Sequence, residues 1–160
     1  MSKIIKFNHP TLKKKATKVN PKDPELKKII RQMKKLMTKD EGIGLAAPQM
    51  NVSQQIVTIQ TQDGIFTLLN PKISKKSLKQ EEMEEGCLSF PGFFGIVKRP
   101  YKVKVCFQDE QGKKIKLKAE GMLARVLQHE IDHLNGQLFI YKVKRFTKGD
   151  EQELWEKMRS

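Results

Sequence analysis

Two of the chain's three histidines lie four residues apart, in the segment QHEIDH at residues 128–133. Positions i and i+4 share one face of an α-helix, so His129 and His133 can direct their rings at one ion. Glu130 lies about 100° further round the helix, where it can take a proton from an ion-bound water but cannot easily be a third ligand. The spacing is the HExxH pattern and predicts a catalytic metal site.

The third ligand has several candidates in the sequence. Cys87 is preferred because it lies in a polar, non-repeating segment, EEGCLSFPG at residues 84–92, next to Gly86. A thiolate and two imidazoles leave the fourth position of a catalytic site free for water. The alternative is a glutamate from a later helix, as in thermolysin-like proteases, and three are available: Glu151, Glu153 and Glu156.

Three further positions are not expected to supply the third ligand. Phe139 stands where the extended HExxHxxGxxH motif has its third histidine, and it cannot bind a metal. His9 precedes Pro10 near the N-terminus and is predicted to be a surface turn residue. Cys106 shares the lysine-bearing face of its predicted strand and is predicted to be structural or incidental.

Hydrophobic periodicity indicates the elements that must position these residues. Helical spacing predicts helices over residues 24–39, 121–135 and roughly 148–159, with Asp23 and Pro24 as the N-cap and first position of the first. Alternation predicts strands at residues 55–60, 65–69, 102–108 and 114–119, and the Gly- and Ala-rich segment 41–49 is predicted to be a loop. The predicted fold class is α+β, with antiparallel strands wrapped around one central metal-binding helix.

Length and composition narrow the class of protein. A chain of 160 residues suits a single catalytic domain over residues 1–160. The net charge of +14 favours a polyanionic neighbour such as RNA, or serves solubility. The start MSKIIKFNHP has no signal-peptide core, and no run of about 18 apolar residues exists. We therefore expect a cytoplasmic protein with no membrane partner.

Three segments together resemble one family. GIGLAAPQ (residues 42–49), EGCLS (residues 85–89) and QHEIDH (residues 128–133) look like the three signature motifs of bacterial peptide deformylases, in the family's order. The resemblance implies a metal-dependent hydrolase that removes the N-formyl group from the N-terminal formyl-methionine of newly made proteins and releases formate. It implies nascent formyl-Met polypeptides as partners and contact with the ribosome through a basic C-terminal helix.

The resemblance also implies residue roles. One divalent metal ion, Fe²⁺ in the cell with Zn²⁺ or Ni²⁺ as alternatives, would be held by Cys87, His129 and His133. Glu130 would be the general acid and base, with the Gln49 side chain and the Leu88 backbone N–H donating to the oxyanion. Extended substrate would meet backbone groups of Ile43, Gly44 and Gly86. The methionine pocket would be lined by Ile43, Met122, Val126 and His129, with the aliphatic stem of Arg125 across its rim.

Two features near Cys87 have alternative interpretations. Glu85 either forms an ion pair with Arg99 that fixes the cysteine segment, or is one of four solvated acids at positions 81, 82, 84 and 85. Some relatives have an arginine that contacts the peptide backbone in the segment where this chain has Phe93 and Phe94. With these aromatic residues in place of the arginine, the sequence does not predict how the protein selects peptide residues after the formyl-methionine.

Two other functions use the same metal differently. An HExxH endopeptidase would cleave internal peptide bonds and be indifferent to loss of Cys87. An RNA-binding or ribosome-binding module with a structural zinc would need a fourth protein ligand, and the chain has no paired cysteine motif to supply it.

Overall fold

The computed structural model describes residues 2–160, which form three α-helices, eight β-strands and three short 3-10 helices. The α-helices are α1 (Leu26–Lys39), α2 (Gly121–Leu134) and α3 (Glu151–Arg159). The strands are β1 (Gly44–Ala46), β2 (Ile56–Thr61), β3 (Gly64–Lys76), β4 (Gln80–Gly86), β5 (Phe94–Pro100), β6 (Lys102–Gln108), β7 (Lys114–Glu120) and β8 (Val143–Lys148). The 3-10 helices are Pro10–Lys13, Ala47–Met50 and Phe139–Tyr141.

The strands form two antiparallel sheets. The first has the order β1-β2-β3-β6-β7 and the second the order β4-β5-β8. The predicted alternation of β6 is confirmed, because Val103 and Val105 are buried against α2 and pair with Ala119 and Leu117 of β7. Each sheet order leaves an edge strand near the metal-binding helix, namely β1 in the first sheet and β4 in the second.

Helix α2 is the centre of the molecule. Ten of its fourteen residues are buried, so its polar side chains must find partners inside the protein. Leu127 and Leu134 pack with the first sheet in one hydrophobic cluster. A second cluster, which contains Phe90 and Phe139, lies beside His129, whose ring centroid is 5.6 Å from that of Phe139. The α+β fold around a central helix is confirmed.

Two helix starts differ from the prediction. Helix α1 begins at Leu26, because Asp23 accepts hydrogen bonds from the backbone N–H groups of Glu25 and Leu26 and holds Pro24 in the preceding turn. Helix α3 begins at Glu151, because the chain up to Lys148 is paired in β8. No helix among residues 2–160 is both long enough and apolar enough to span a membrane.

The sequence prediction missed four strands. The predicted loop 41–49 contains β1, which pairs with β2 through Leu45 and Thr58, and the start of a 3-10 helix. A strand of three residues is too short to show alternation. Strands β4, β5 and β8 were also missed, and β4 (QEEMEEG) carries so many acids that its sequence does not read as a strand. Strand β3 extends to Lys76, beyond the predicted end at residue 69.

Candidate active site and metal centre

The two sheets and α2 bring three potential ligands together. Cys87 follows the end of β4, and its Sγ lies 3.3 Å from Nε2 of His133. The ligand atoms of Cys87, His129 and His133 all lie within 4.8 Å of one another, and no other group of three Cys, His, Asp or Glu residues in the described chain meets this criterion. A thiolate and two imidazoles suit one divalent ion of the Fe²⁺, Ni²⁺ or Zn²⁺ type. The predicted metal-binding group is present.

The alternative third ligands are excluded by their positions. Glu151, Glu153 and Glu156 are exposed on α3 and interact with other side chains of that helix. His9 caps the first 3-10 helix through Nδ1, which accepts the Thr11 N–H, so the prediction of a turn residue is confirmed. The thermolysin-like ligand arrangement does not apply to this chain.

Glu85 orients one of the two histidines. Its Oε1 lies 2.9 Å from Nδ1 of His129. Arg99 donates to both oxygens of Glu85, at 2.6 Å from Nε and 2.9 Å from Nη2, so the predicted ion pair is confirmed. Burial raises the pKa of Glu85, but the hydrogen bonds of His129 and Arg99 outweigh burial and hold this pKa well below its usual range. An ionised Glu85 fixes Nδ1–H of His129 and leaves Nε2 for a metal.

Arg125 is more than the rim residue that was predicted. Its side chain is almost fully buried, and its guanidinium donates to Glu85 Oε2 at 2.6 Å, to the Val97 carbonyl at 2.9 Å and to the Glu81 carbonyl at 2.6 Å. The prediction of an arginine lying across the rim is therefore wrong, although the residue does line the cavity described below. The signal in the sequence was a single arginine within the otherwise apolar run 122–127 of α2.

Asp132 extends the same network to the surface. It accepts from Arg99 Nη1 at 2.8 Å and from Lys142 Nζ at 2.7 Å. Arg99 thus joins Asp132 and Glu85, one on α2 and one at the end of β4. The network ties the second sheet to the helix that carries both histidines.

The protonation of the two histidines differs. Burial lowers the pKa of His133 well below its usual value, which favours the neutral imidazole that metals require. Burial also lowers the pKa of His129, but hydrogen bonds to Cys87 and Glu85 outweigh burial and raise it well above its usual value. Coordination by Nε2 of His129 therefore requires a proton to leave, as is usual when metals bind.

Glu130 keeps one carboxylate oxygen free beside the ligands. It is buried, and its Oε2 has no hydrogen-bond partner among residues 2–160. A Cβ at Gly44 would lie 2.8 Å from Glu130 Oε1, so a glycine is needed where β1 passes the carboxylate. Burial raises the pKa of Glu130 to about 7. A carboxyl with this pKa can both take and return a proton near neutral pH.

Gln49 has a fixed orientation. The side chain is 1% exposed, and its Oε1 accepts the Ala46 backbone N–H at 2.9 Å. Its amide nitrogen is thereby directed at Cys87 Sγ, 3.4 Å away, and at Ser89 Oγ, 3.3 Å away. The backbone N–H of Leu88 donates to no group among the described residues. Ser89 was not predicted as a site residue; it is fully buried next to Gln49.

Four of the five predicted substrate residues, all but Gly44, line a common cavity. Ile43 and Met122 are more than half exposed, and with the buried Val126 they line a cavity of about 120 Å³ whose floor includes His129 and Glu130. Gly44 and Gly86 belong to the edge strands β1 and β4. Their backbones therefore have hydrogen-bonding groups that no neighbouring strand in the described chain uses.

The two phenylalanines have structural positions. Phe93 is buried in the hydrophobic cluster around Phe90. A Cβ at Gly86 would lie 2.4 Å from the Phe94 ring, so Phe94 packs directly over the Gly86 backbone. Neither residue offers a charged group to a peptide at this position.

Comparison with known proteins places this arrangement in a family. The model of the family described as polypeptide deformylase matches residues 1–149. The chain is 43% identical to a peptide deformylase of Natranaerobius thermophilus over 152 residues, which is 94% of this chain and 97% of the relative. It is also 43% identical to peptide deformylase 1 of Bacillus cereus, with the same coverage.

Solved structures agree with the sequence comparison. The fold matches a peptide deformylase of Synechococcus elongatus in complex with actinonin, with a TM-score of 0.87, 39% identity, and coverage of 99% of this chain and 84% of that one. It matches the enzyme of Thermotoga maritima with a TM-score of 0.87, 40% identity, and coverage of 91% and 99%. The chain therefore belongs to the peptide deformylase family, the hydrolases that remove the N-formyl group from newly made polypeptides.

Proposed function

We propose a specific division of roles among the residues around Cys87. Cys87, His129 and His133 hold one divalent metal ion, Glu130 moves the proton, and Gln49 with the Leu88 N–H stabilises the oxyanion. The observation that carries the proposal is the free Oε2 of Glu130, which is buried next to two metal-binding histidines. When bound, the metal supplies hydroxide at neutral pH, because coordination lowers the pKa of water to about 7.

Glu130 provides general acid and base catalysis in this proposal. Its pKa of about 7 lets the carboxylate accept a proton from the attacking water at neutral pH. The same group, once protonated, donates to the nitrogen that leaves as a free amine. Its position against Gly44 of β1 places the carboxyl beside the backbone that would hold the peptide.

Gln49 and Leu88 act on the formyl oxygen. The Ala46 N–H holds the Gln49 carbonyl, so the amide nitrogen is the end directed at the ligand cluster. Donors that are already oriented stabilise a developing oxyanion without reorganisation, and one such donor typically contributes about 3 kcal/mol. The small formyl group suits this enclosed position.

The peptide binds as an additional strand at the edge strands. Ile43, Gly44 and Gly86 offer backbone groups to an extended substrate, as in other cases of strand addition. The cavity beside Glu130, lined by Met122, Val126 and neighbours, takes the methionine side chain. Both surfaces meet at the catalytic carboxyl, which aligns the first residue with the formyl bond.

The remaining assignments concern the setting of the enzyme. We propose one catalytic domain over residues 1–160, Fe²⁺ as the ion in the cell, and a cytoplasmic location, where new formyl-Met chains are made. Zn²⁺ and Ni²⁺ suit the same donors. Contact with the ribosome is proposed as well; Lys157 and Arg159 on α3 are candidate groups, although Glu151, Glu153 and Glu156 share that helix.

The test measures formate release from a formyl-Met peptide and from its acetyl-Met counterpart. Wild type with quantified metal should hydrolyse only the formyl peptide. Cys87→Ala should lose both the metal and the activity, whereas the matched control Cys106→Ala should retain both. Internal cleavage of peptides, or full activity in Cys87→Ala, would contradict the assigned roles and favour the endopeptidase interpretation.

A further inference from the structure

The outer side of the first sheet carries a concentration of lysines that the catalytic reaction does not use. Six of them form what we call the lysine face, on strands β3, β6 and β7: Lys72, Lys75, Lys104, Lys114, Lys116 and Lys118. The alternate residues of β6 and β7, such as Val103, Val105 and Ala119, point to the core. The lysine face therefore lies on the side of the sheet away from α2.

Strand register aligns these charges in rows. Lys75 lies opposite Lys104, and Lys104 lies opposite Lys118. A second row runs from Lys72 through Cys106 to Lys116. Cβ atoms of opposed residues lie about 5 Å apart, and like charges in such pairs are destabilising. The fold keeps these lysines directly opposed. An anion bound between the rows would therefore reduce the repulsion between their charges.

Acidic residues neutralise this surface only at one end, where Glu120 lies. None of the six lysines forms an ion pair among residues 2–160. Lys102 on the same face contacts Glu120 at 3.5 Å and is for that reason not included in the lysine face. Residues 64–79, 101–108 and 111–119 contain no Asp or Glu. The acids concentrate instead on β4 and α3. Solubility requires a net charge, but it does not require that lysines and acids lie on different surfaces of the protein.

The geometry points to a phosphate backbone as the occupant. Alternate residues of one strand lie about 6.6 Å apart, so the three lysines of β7 are spread along the strand instead of converging on one point. A cleft of about 480 Å³ is lined by Lys75, Lys104 and Lys118, with Lys102 and Glu120 at its end. The outward positions of β6 and β7 hold no aromatic side chain, so stacking on bases is not available and contacts to phosphate remain.

We propose that the lysine face binds the phosphate backbone of RNA without sequence preference. The choice of RNA over other polyanions rests on the proposed ribosome contact, since newly made polypeptides emerge from an RNA-rich particle. The lysine face is better suited to that contact than α3, which mixes basic and acidic residues. Strand β1, where the peptide would bind, lies at the opposite edge of the sheet from β7, so bound RNA leaves Glu130 accessible.

The experiment uses the full chain and a short labelled RNA duplex, with binding followed by fluorescence anisotropy from about 50 to about 200 mM salt. The test variant is Lys75→Gln/Lys104→Gln/Lys118→Gln. The matched control, Lys27→Gln/Lys28→Gln/Lys35→Gln, removes three exposed charges from α1. The test variant should bind roughly 10-fold more weakly or worse, with a salt slope lower by about three, and the control should stay near wild type.

The outcomes separate this inference from the proposed function. Both variants should release formate from a formyl-Met tripeptide at the wild-type rate, which also shows that they are folded. Equal weakening of RNA binding in both variants, or no binding by active wild type, would overturn the inference and leave the catalytic roles intact. Tighter binding to vesicles of anionic phospholipid than to RNA, through the same lysines, would overturn the choice of RNA.

Discussion

Arg125 and His129 lie one helical turn apart on α2 and bind opposite oxygens of the same carboxylate, that of Glu85. The distances are 2.6 Å from Arg125 Nη1 to Oε2 and 2.9 Å from His129 Nδ1 to Oε1. Arg99 binds both oxygens from the second sheet. Glu85 is thus held by three groups, and the ring of a metal-binding histidine is oriented by a carboxylate that two arginines fix.

We predict that Arg125→Met weakens metal retention. Methionine fills similar space but leaves Glu85 and two backbone carbonyls with fewer donors, which should destabilise the fold by roughly 1–3 kcal/mol and loosen His129. The measurement is the rate of metal loss to a competing chelator, together with urea unfolding. Arg145→Met removes an exposed arginine and serves as the control. Metal loss at the wild-type rate in Arg125→Met would show that Arg125 does not position the ligand.

Glu130→Gln should separate catalysis from metal binding. The amide is nearly isosteric but cannot take a proton, so formate release should fall by about 10²–10⁴-fold while the metal content is unchanged. Activity is measured as formate release and metal as bound ion per chain. Glu120→Gln, at an exposed position, is the control. A variant that loses metal and activity in parallel would assign Glu130 a role in ligation.

Gly86 and Phe94 should behave as a coupled pair. A methyl group at Gly86 would lie 2.4 Å from the Phe94 ring, so Gly86→Ala should displace the ring or the end of β4 and raise KM for the peptide. Phe94→Ala removes the obstacle, so the double variant should recover much of the loss. The measurement is a double-mutant cycle on KM and on the free energy of unfolding. Additive effects would mean that the two positions are not coupled and would contradict the steric contact.

Leu127 tests whether α2 derives its position from packing. It is fully buried, within the hydrophobic cluster that joins α2 to the first sheet. Leu127→Ala should reduce the free energy of unfolding by about 2–5 kcal/mol. Leu78→Ala, at a leucine that is 100% exposed, should change it very little. Urea unfolding of the metal-loaded proteins provides both values, and similar losses in the two variants would contradict the central role of α2.

Local periodicity was sufficient for some elements and insufficient for others. Strand β6 was predicted at its observed bounds, because alternate burial on one face shows directly in the order of its side chains. Strand β1 was read as a loop, since only its pairing with β2 makes three residues a strand. Strand β4 was hidden by its acids. Two of the four, Glu82 and Glu84, are exposed, and Glu82 pairs with Lys144.

By itself the sequence determined the ligand types, the helical spacing of His129 and His133, and the family, because these depend on residue identity and short-range geometry. Tertiary structure decided that Cys87 and not a glutamate of α3 joins the histidines, because that choice depends on where β4 ends relative to α2. It also decided the role of Arg125 and the rows of the lysine face. Both arise from register and packing between segments far apart in the chain, and no local pattern records such contacts.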